Sequence, residues 1–465
     1  MPGSSSQTRC AGAAAFLLLL LAVDAAAQDA YVRVAREHDR PRVLHEAVVL
    51  PAPDGAQAVI AFRVPNSLLT FVQQEERFVA RPAVRIELYR GDTKIDETTW
   101  QGVHEAATFA ATQDNTRDVQ GRVLFDLPPG EFAYRLSLAD GIAGVLGTGV
   151  RTPFAVPDFG RAIIGSPFFG RIEGGPDGGA RVVPANLSGS VPFGERMTAL
   201  IPARALEPGY EIAYRLSRLD AGRDRSLAQL AEDYAGREGD ERIGEGRVPA
   251  DDAVAVGRVE ASCMCWRPAL ETSGRLVPIA FGSEMLEGGS YVLDLELTRS
   301  DGSTHEVRTV FQTLWRDMPL SLYDVDVAIR NLQYIEERDV LREMRRGTQA
   351  ARIERFRAYW EARDPSPETP FNELMAEYYR RIDIAADRFR TGTVPYPDGL
   401  RTDAANVYIL HGPPTDIDSS LPSDGGVIQV WTYPNGRQFV FWAASSLDAL
   451  ELREERGGAQ PGGGS

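Results

Sequence analysis

The chain has 465 residues, 43% of them hydrophobic and 25% charged, and a formal net charge of −16. This composition is that of a globular protein and excludes a disordered one. The acidic surface repels phosphate backbones and so argues against general nucleic-acid binding. The length exceeds one ordinary core and predicts about two to four domains.

The N-terminal residues have the pattern of an export signal. Residues 13–23 form an apolar run with five consecutive leucines, which is too short to span a bilayer as a helix. Ala25, Ala26 and Ala27 then supply a small-x-small cleavage site. We expect residues 1–27 to be a signal peptide cleaved after Ala27, and the mature protein to be secreted or periplasmic. A retained membrane anchor is the alternative.

Two successive blocks, residues 28–157 and 158–315, alternate apolar and polar residues in short runs broken by Gly, Pro and Asp, as β-domains do. Their endings correspond: Leu127 matches Leu286, Gly130 matches Gly289 and Phe132 matches Tyr291. The pattern predicts two tandem immunoglobulin-like β-sandwiches. Tyr291 fits the tyrosine corner of such domains, in which the hydroxyl bonds to upstream backbone, whereas Phe132 lacks that hydroxyl.

The predicted mature chain keeps two cysteines, Cys263 and Cys265, one residue apart. In a strand both would point to one face, at the outer limit of disulfide geometry. A strained disulfide and two buried thiols both remain open. No second Cys/His pair accompanies them, so the sequence does not predict a zinc site.

The pattern changes to a helical period in residues 317–450. Three helices are predicted, the third with Thr369 as its N-cap. Three strands are predicted next, at residues 406–412, 427–434 and 437–443, with Pro434-Asn435-Gly436 as the turn between the last two. The block is thus predicted to be a helical segment followed by a small antiparallel sheet, and residues 451–465 to be a flexible Gly-rich tail.

Ordered motifs in this third block carry a family resemblance. They are Arg363, Asp364, Pro365, Pro367 and Thr369; Asn372 and Glu373; Tyr378, Tyr379, Arg380 and Arg381; Gly399, Leu400, Arg401, Thr402 and Asp403; Tyr408, Ile409, Leu410, His411, Gly412, Pro413 and Pro414; and Trp431, Thr432, Tyr433 and Pro434. The block resembles the GWxTD domain, a family of uncharacterised secreted bacterial proteins. Leu400 stands where that family has tryptophan. The resemblance implies β-rich segments ahead of the domain and no transferable reaction.

Charged motif residues are the remaining candidates for chemistry, since no nucleophile elbow, phosphate loop, calcium loop or complete zinc-protease motif is present. Carboxylates among Asp364, Glu373 and Asp403 could serve as acid and base in a hydrolase. Alternatively, they could pair with arginines to fix the fold. We favour pairing, and predict that Asp403 and Arg401 join groups such as Arg380, Arg381, Asp364 or Glu373. No catalytic residue, cofactor or metal is expected.

Two smaller alternatives are weighed in the same way. His411 is interpreted as a turn residue in preference to a general base. The aromatic residues of the last two predicted strands are interpreted as core in preference to a sugar-binding platform: Trp431, Tyr433, Phe439, Phe441 and Trp442.

The sequence therefore favours a non-enzymatic secreted or periplasmic envelope protein that binds or scaffolds other proteins. A hydrolase acting on glycan or peptide through the Arg/Asp/Glu cluster is the alternative. Expected partners are envelope or secreted proteins, with no nucleic acid and no transmembrane span in the mature chain.

Overall fold

The structure is a computed structural model that describes residues 42–457, apart from 53–54, 115–116, 141–143, 161–163, 175–179, 205, 207–208, 221–226, 236, 250–253, 256–273, 390–397, 423–424 and 446–447. The predicted signal peptide, Cys263 and Cys265 lie outside the described residues. The described chain is mostly antiparallel β-sheet with few helices, as the alternating pattern predicts.

The first β-region, residues 44–156, has a core between two sheets. One sheet has the order β1-β2-β8 and the other the order β10-β9-β5-β6, with β11 also pairing β9, while β3, β4 and β7 form a small third sheet. Ile60, Ile86 and Tyr134 lie in the buried cluster. The elements are β1 (Leu44–Ala52), β2 (Gly55–Pro65), β3 (Val72–Gln74), β4 (Arg77–Ala80), β5 (Pro82–Arg90), β6 (Thr93–Gln101), β7 (His104–Ala106), α1 (Phe109–Thr112), β8 (Asp118–Leu127), β9 (Gly130–Asp140), β10 (Gly144–Thr148) and β11 (Thr152–Val156).

The second β-region, residues 168–314, has two sheets of the orders β13-β12-β15-β19-β18 and β14-β21-β20-β16-β17. All its strand pairs are antiparallel except β14 with β21. Its elements are β12 (Phe168–Gly174), β13 (Ala180–Pro184), β14 (Val191–Pro192), β15 (Thr198–Arg204), β16 (Glu211–Leu219), α2 (Leu227–Asp233), β17 (Glu241–Pro249), β18 (Val254–Ala255), β19 (Gly274–Ala280), β20 (Ser290–Thr298) and β21 (Thr304–Leu314).

The matching endings of the two blocks fall on corresponding strands. Phe132 lies on β9 and Tyr291 on β20, and Phe154 faces Phe132 as Phe311 faces Tyr291. The Tyr291 hydroxyl donates to the Glu287 carbonyl oxygen at 2.9 Å, which confirms the hydrogen bond that the tyrosine-corner motif predicts.

The two β-regions share an apolar cluster. Val48, Leu50 and Val59 on β1 and β2 pack with residues of the second region, Phe168, Val182, Leu200 and Leu276. Residues Pro41–Asp317 accordingly belong to one unit, together with Glu368–Phe371. Burial of this cluster couples the two regions, because separating them would return fully buried aliphatic side chains to water.

The second unit contains Met318–Pro367 and the described part of Asn372–Ser465. Its elements are α3 (Val325–Asn331), α4 (Arg338–Met344), α5 (Gln349–Glu361), α6 (Glu373–Arg388), α7 (Asp403–His411), β22 (Asp416–Ser420), β23 (Val427–Thr432), β24 (Gln438–Ala443) and β25 (Glu451–Arg456). The four strands form one antiparallel sheet in the order β22-β23-β24-β25. The predicted turn between β23 and β24 is present, with Gly436 N–H bonded to the Tyr433 oxygen at 2.9 Å.

Three details of the sequence prediction for this block are wrong. Residues 406–411 are not a strand but lie in helix α7, because the Thr402 hydroxyl caps that helix by accepting from Ala405 N–H. The third helix is capped by Asn372, whose side chain accepts from Met375 N–H at 2.7 Å, and not by Thr369. Residues 451–456 are not tail but strand β25, which pairs with β24.

Candidate functional site

The Gly399 to Asp403 motif builds the start of helix α7. The Thr402 hydroxyl donates to the Gly399 oxygen at 3.0 Å and accepts from Ala405 N–H at 3.1 Å. The Leu400 oxygen accepts from the Tyr334 hydroxyl at 2.8 Å, and burial raises the pKa of Tyr334 to about 12. The Thr402 contacts are those of a helix cap, and the Tyr334 contact holds the motif against α3 and the turn that follows it.

Asp403 binds the sheet rather than an arginine. It is the first residue of α7, and its Oδ2 accepts from Leu452 N–H of β25 at 2.9 Å. Arg380 and Arg381 instead contact Glu377, both at 2.7 Å. The predicted pairing of Asp403 with Arg380 or Arg381 is therefore wrong, because each of these groups has a different partner.

The pKa of Glu377 is set by its burial and by two neighbouring guanidinium groups. Burial raises the pKa of this carboxyl, but the hydrogen bonds and charges of Arg381 and Arg380 outweigh it and hold the pKa below its usual range. Arg381 also donates to the Ile409 oxygen at 3.4 Å, near the C-terminal end of α7. Arg381 thus links α6 to α7, and Glu377 holds its guanidinium in place.

Asp364 and Glu373 meet at one serine. The Asp364 carboxylate accepts from Ser366 N–H at 2.9 Å, and the Ser366 hydroxyl donates to Glu373 at 2.8 Å. Asn372 joins two helices here, since its amide nitrogen also donates to the Trp360 oxygen at 2.8 Å. These hydrogen bonds do not connect Asp364 and Glu373 to Asp403, so the carboxylates required by the hydrolase hypothesis are held in separate groups.

Arg363 and the two motif tyrosines have fixed partners too. The Arg363 guanidinium lies 3.7 Å from the centre of the Tyr359 ring and forms an ion pair with Glu336 at 3.1 Å. The hydroxyls of Tyr378 and Tyr379 donate to backbone oxygens of Asn331 and Ala328 in α3. Burial raises the pKa of both tyrosines, so both remain neutral donors.

The Gly412-Pro413-Pro414 motif ends helix α7, not a strand. Gly412 has a φ of 80°, which favours glycine, and its N–H donates to the Tyr408 oxygen at 2.8 Å. His411 packs between Tyr433 and Phe439, with ring centres 5.8 and 5.0 Å away. Burial, together with the charges of Arg437 and Arg381, lowers the pKa of His411.

The two faces of the C-terminal sheet differ. Trp431, Phe439 and Phe441 are buried in the core of the unit, as predicted for most of the aromatic cluster. Trp442 is the exception, because it points to the opposite face. We call that opposite face the outer face and define its apolar row as Ile428, Val430, Val440 and Trp442, which pair across β23 and β24.

The outer face carries a shallow groove of about 270 Å³. It is lined by Ile428, Val440, Phe441, Trp442 and Arg453. The Arg453 guanidinium lies 5.0 Å from the centre of the Trp442 ring. None of the four residues of the apolar row belongs to a buried cluster of the described residues.

Acidic side chains border this apolar row on both sides. Register pairs Asp418 of β22 with Val430, and Val440 with Glu454 of β25, so all four share the outer face. Glu454 contacts Arg456 at 2.8 Å. No ion pair involves Asp416 or Asp418 among the described residues, which leaves the β22 border negative. Sequence reasoning missed this surface because it assigned the whole aromatic cluster to the core.

A family comparison covers this unit. The model described as "GWxTD domain" matches residues 298–447. This segment is a GWxTD domain. The match begins at the end of β20 in the second β-region and stops before β25 of the C-terminal sheet. It confirms the resemblance drawn from the motifs, including the segment in which Leu400 replaces tryptophan.

Other comparisons add little. No curated protein matches the chain. A C-terminal domain of the Streptococcus pyogenes antigen I/II-family protein AspA matches with 9% identity, 58% coverage of this chain, 99% of that chain and a TM-score of 0.17. Fibronectin(III)-like modules of Clostridium thermocellum CbhA match with 11% identity, 58% and 94% coverage and a TM-score of 0.15. Likenesses this weak carry no argument here.

Two further findings concern metal ligands and membrane helices in the part of the chain that the structure describes. Within that part of the chain, no three His, Cys, Asp or Glu side chains come together as metal ligands. No described helix has the length and apolar character needed to cross a bilayer.

Proposed function

We propose that this protein is a secreted or periplasmic, non-enzymatic envelope protein whose GWxTD domain binds a protein partner on the outer face of its sheet. Two tandem immunoglobulin-like sandwiches precede that domain in the proposal. The observation that carries it is the apolar row of the outer face, which lies outside the domain core and between acidic borders.

The chemistry of the outer face favours an extended partner segment that alternates apolar and basic residues. Such a segment buries its apolar side chains on Ile428, Val440 and Trp442, which gains roughly 25 cal/mol for each Å² removed from water. Its lysines or arginines face Asp416 and Asp418, whose charges are not paired within the described residues. Charge complementarity of this kind selects the partner and speeds encounter.

The contacts of the motif carboxylates support a binding role over the hydrolase alternative. Asp403 accepts from a backbone N–H, and Asp364 and Glu373 contact Ser366. A glycosidase needs two carboxyl groups that flank one bond in an open site. No contact between the described residues of this unit favours that arrangement, so the hydrolase is not proposed.

A pair of synthetic peptides tests the binding proposal. A ten-residue peptide of alternating valine and lysine should bind the full chain, as measured by fluorescence anisotropy, whereas its valine–glutamate counterpart should not. Val440→Lys should abolish binding because it places a charge in the apolar row. Asp418→Asn should weaken binding several-fold, since one facing charge is removed.

Glu296→Gln is the matched control, because Glu296 is an exposed strand residue of the second β-region. It should leave binding unchanged. Equal binding of the lysine peptide to wild type and Val440→Lys would show non-specific attraction to an acidic protein and would overturn the proposal.

Export is tested independently by intact-mass measurement of the protein from the envelope fraction and the medium. The proposed signal peptide predicts a chain that starts at Gln28. A chain that retains residues 1–27 and stays in the cytoplasm would refute the proposed location.

A further inference from the structure

A strained loop of the second β-region contacts the first strand of the first β-region. The loop comprises residues 185–190, between β13 and β14. Asn186 and Ser188 have φ angles of 51° and 56°, and Gly189 has a φ of 76°. Non-glycine residues rarely adopt such angles, and each costs free energy unless the surroundings hold it. The loop therefore needs contacts that hold it in this conformation, and strand β1 provides them.

Two residues of β1 form hydrogen bonds with the loop. Gly189 N–H donates to Glu46 Oε2 at 2.7 Å, and the Ser188 hydroxyl accepts from His45 N–H at 3.0 Å. The other carboxyl oxygen, Glu46 Oε1, is enclosed and has no hydrogen-bond partner among the described residues. Both side-chain polar atoms of the fully buried Asn186 are also without a described partner.

The charged groups around Glu46 do not neutralise it at contact distance. Arg63 on β2 donates to the Ala185 oxygen at 2.8 Å and contacts Asp118 at 3.3 Å. Arg316 contacts the same Asp118 oxygen at 2.7 Å. Among the described residues, two further titratable groups are near: His45, the preceding residue of β1, and Tyr134, whose pKa responds to the Glu46 charge. They are joined to each other at 2.7 Å. Glu46 therefore faces a loop backbone rather than a dedicated cation.

We propose that the Glu46–Gly189 contact is a proton-dependent clasp between the two β-regions. The neutral carboxyl closes the clasp, because it accepts from Gly189 N–H without enclosing an unpaired charge at Oε1. The carboxylate weakens the clasp, because a charge would then be enclosed without a donor on Oε1.

The direction of the pH effect follows from the electrostatics. Burial raises the pKa of Glu46 to about 7, while the Gly189 N–H, the Arg63 charge and the Asn186 backbone oppose the rise. A pKa raised on closing means that the closed state binds the extra proton. The added stability is present in full below the ordinary carboxyl pKa and is lost as the pH rises through about 7.

Hydrogen exchange of the Gly189 amide in the full chain tests the clasp. Glu46→Gln keeps an acceptor for Gly189 N–H and a donor in place of Oε1, and it is neutral at every pH. The protection of this amide in wild type, divided by that in Glu46→Gln, should fall roughly 30-fold between about pH 5.5 and about pH 8.5. This ratio removes the intrinsic pH dependence of exchange and the titration of His45.

Glu131→Gln, at an exposed position of β9, should follow wild type. A ratio that does not change with pH would overturn the clasp. If Glu46→Gln does not fold, the carboxyl carbon of Glu46 in wild type decides by NMR titration. A midpoint near 7 supports the proposal, and one near the ordinary glutamate value overturns it.

Discussion

The two β-regions differ in the aromatic residue at one corresponding strand position and in the hydrogen bond that holds that strand. In the second region, the ring facing Phe311 is Tyr291, and its hydroxyl bonds to backbone four residues upstream. In the first region, the ring facing Phe154 is Phe132, which has no hydroxyl. The buried hydroxyl on this strand of the first region instead belongs to Tyr134, two residues after Phe132, and it forms a hydrogen bond with His45 on β1. The second region thus holds this strand by a hydrogen bond within its own turn, and the first region holds it by a hydrogen bond to a strand distant in sequence.

The two β-regions are therefore not interchangeable. His45 also donates its backbone N–H to Ser188 of the second region, so the contacts of β1 extend from Tyr134 to that region. The hydrogen bond of Tyr291 reaches only the turn that precedes its own strand. Substitutions at these positions test the comparison.

The largest effect is expected in the apolar cluster that the two β-regions share. Val59 is fully buried in the shared cluster, whereas its register partner Leu124 is 42% exposed. Val59→Asp should lower the free energy of unfolding by about 3–5 kcal/mol, because it encloses an unpaired carboxylate. Leu124→Asp is the matched control and should cost much less. Denaturant melts compare them, and equal costs would mean that the two regions do not depend on their shared cluster.

The next effect compares the facing phenylalanines. Phe311 is fully buried and packs against Phe169, Phe281 and Tyr291. Phe311→Ala should therefore cost about 3–5 kcal/mol. Phe154 is half-buried, so Phe154→Ala should cost about half as much. Thermal melts of both variants measure this, and a larger loss for Phe154→Ala would reverse the ranking.

The smallest effects come from the hydroxyls. Tyr291→Phe should lower stability by about 1 kcal/mol, the scale of one hydrogen bond. Phe132→Tyr should raise it by up to about 1 kcal/mol, because the Pro128 carbonyl stands four residues upstream, as Glu287 does for Tyr291. Urea melts of both variants are the measurement. If neither variant changes the stability, the hydroxyl has no part in the difference between the two β-regions.

The strands of the two β-regions were predictable because apolar and polar residues alternate along a strand that has one buried face. Phe132, Tyr134, Leu136 and Leu138 all lie in one buried cluster, as period two requires. Residues 407–410 were wrongly predicted as a strand because a short apolar run fits a buried helix as well as a strand. The Thr402 cap, with Asp403 at the first position of the helix, was the available signal for the helix.

The wrong ionic pairing has a different cause. A sequence shows which charges lie in a motif but not that a backbone N–H of β25 will reach Asp403 first. That strand was itself assigned to the tail, since five of residues 451–456 are charged and the segment shows no apolar alternation. All six are exposed, and a strand without a buried face leaves no period-two signal.

Strand β25 also bears on where the GWxTD domain can be cut. The family match stops at residue 447, before this strand begins. A fragment trimmed at that boundary would bare the backbone of β24, which carries Val440 and Trp442. An uncapped apolar edge of this kind recruits strands from other molecules. In the full chain β25 pairs with this edge and carries charged side chains there, among them Glu451, Arg453, Glu454 and Arg456. The strand therefore opposes self-association. A fragment that is meant to stay soluble should extend to at least residue 457.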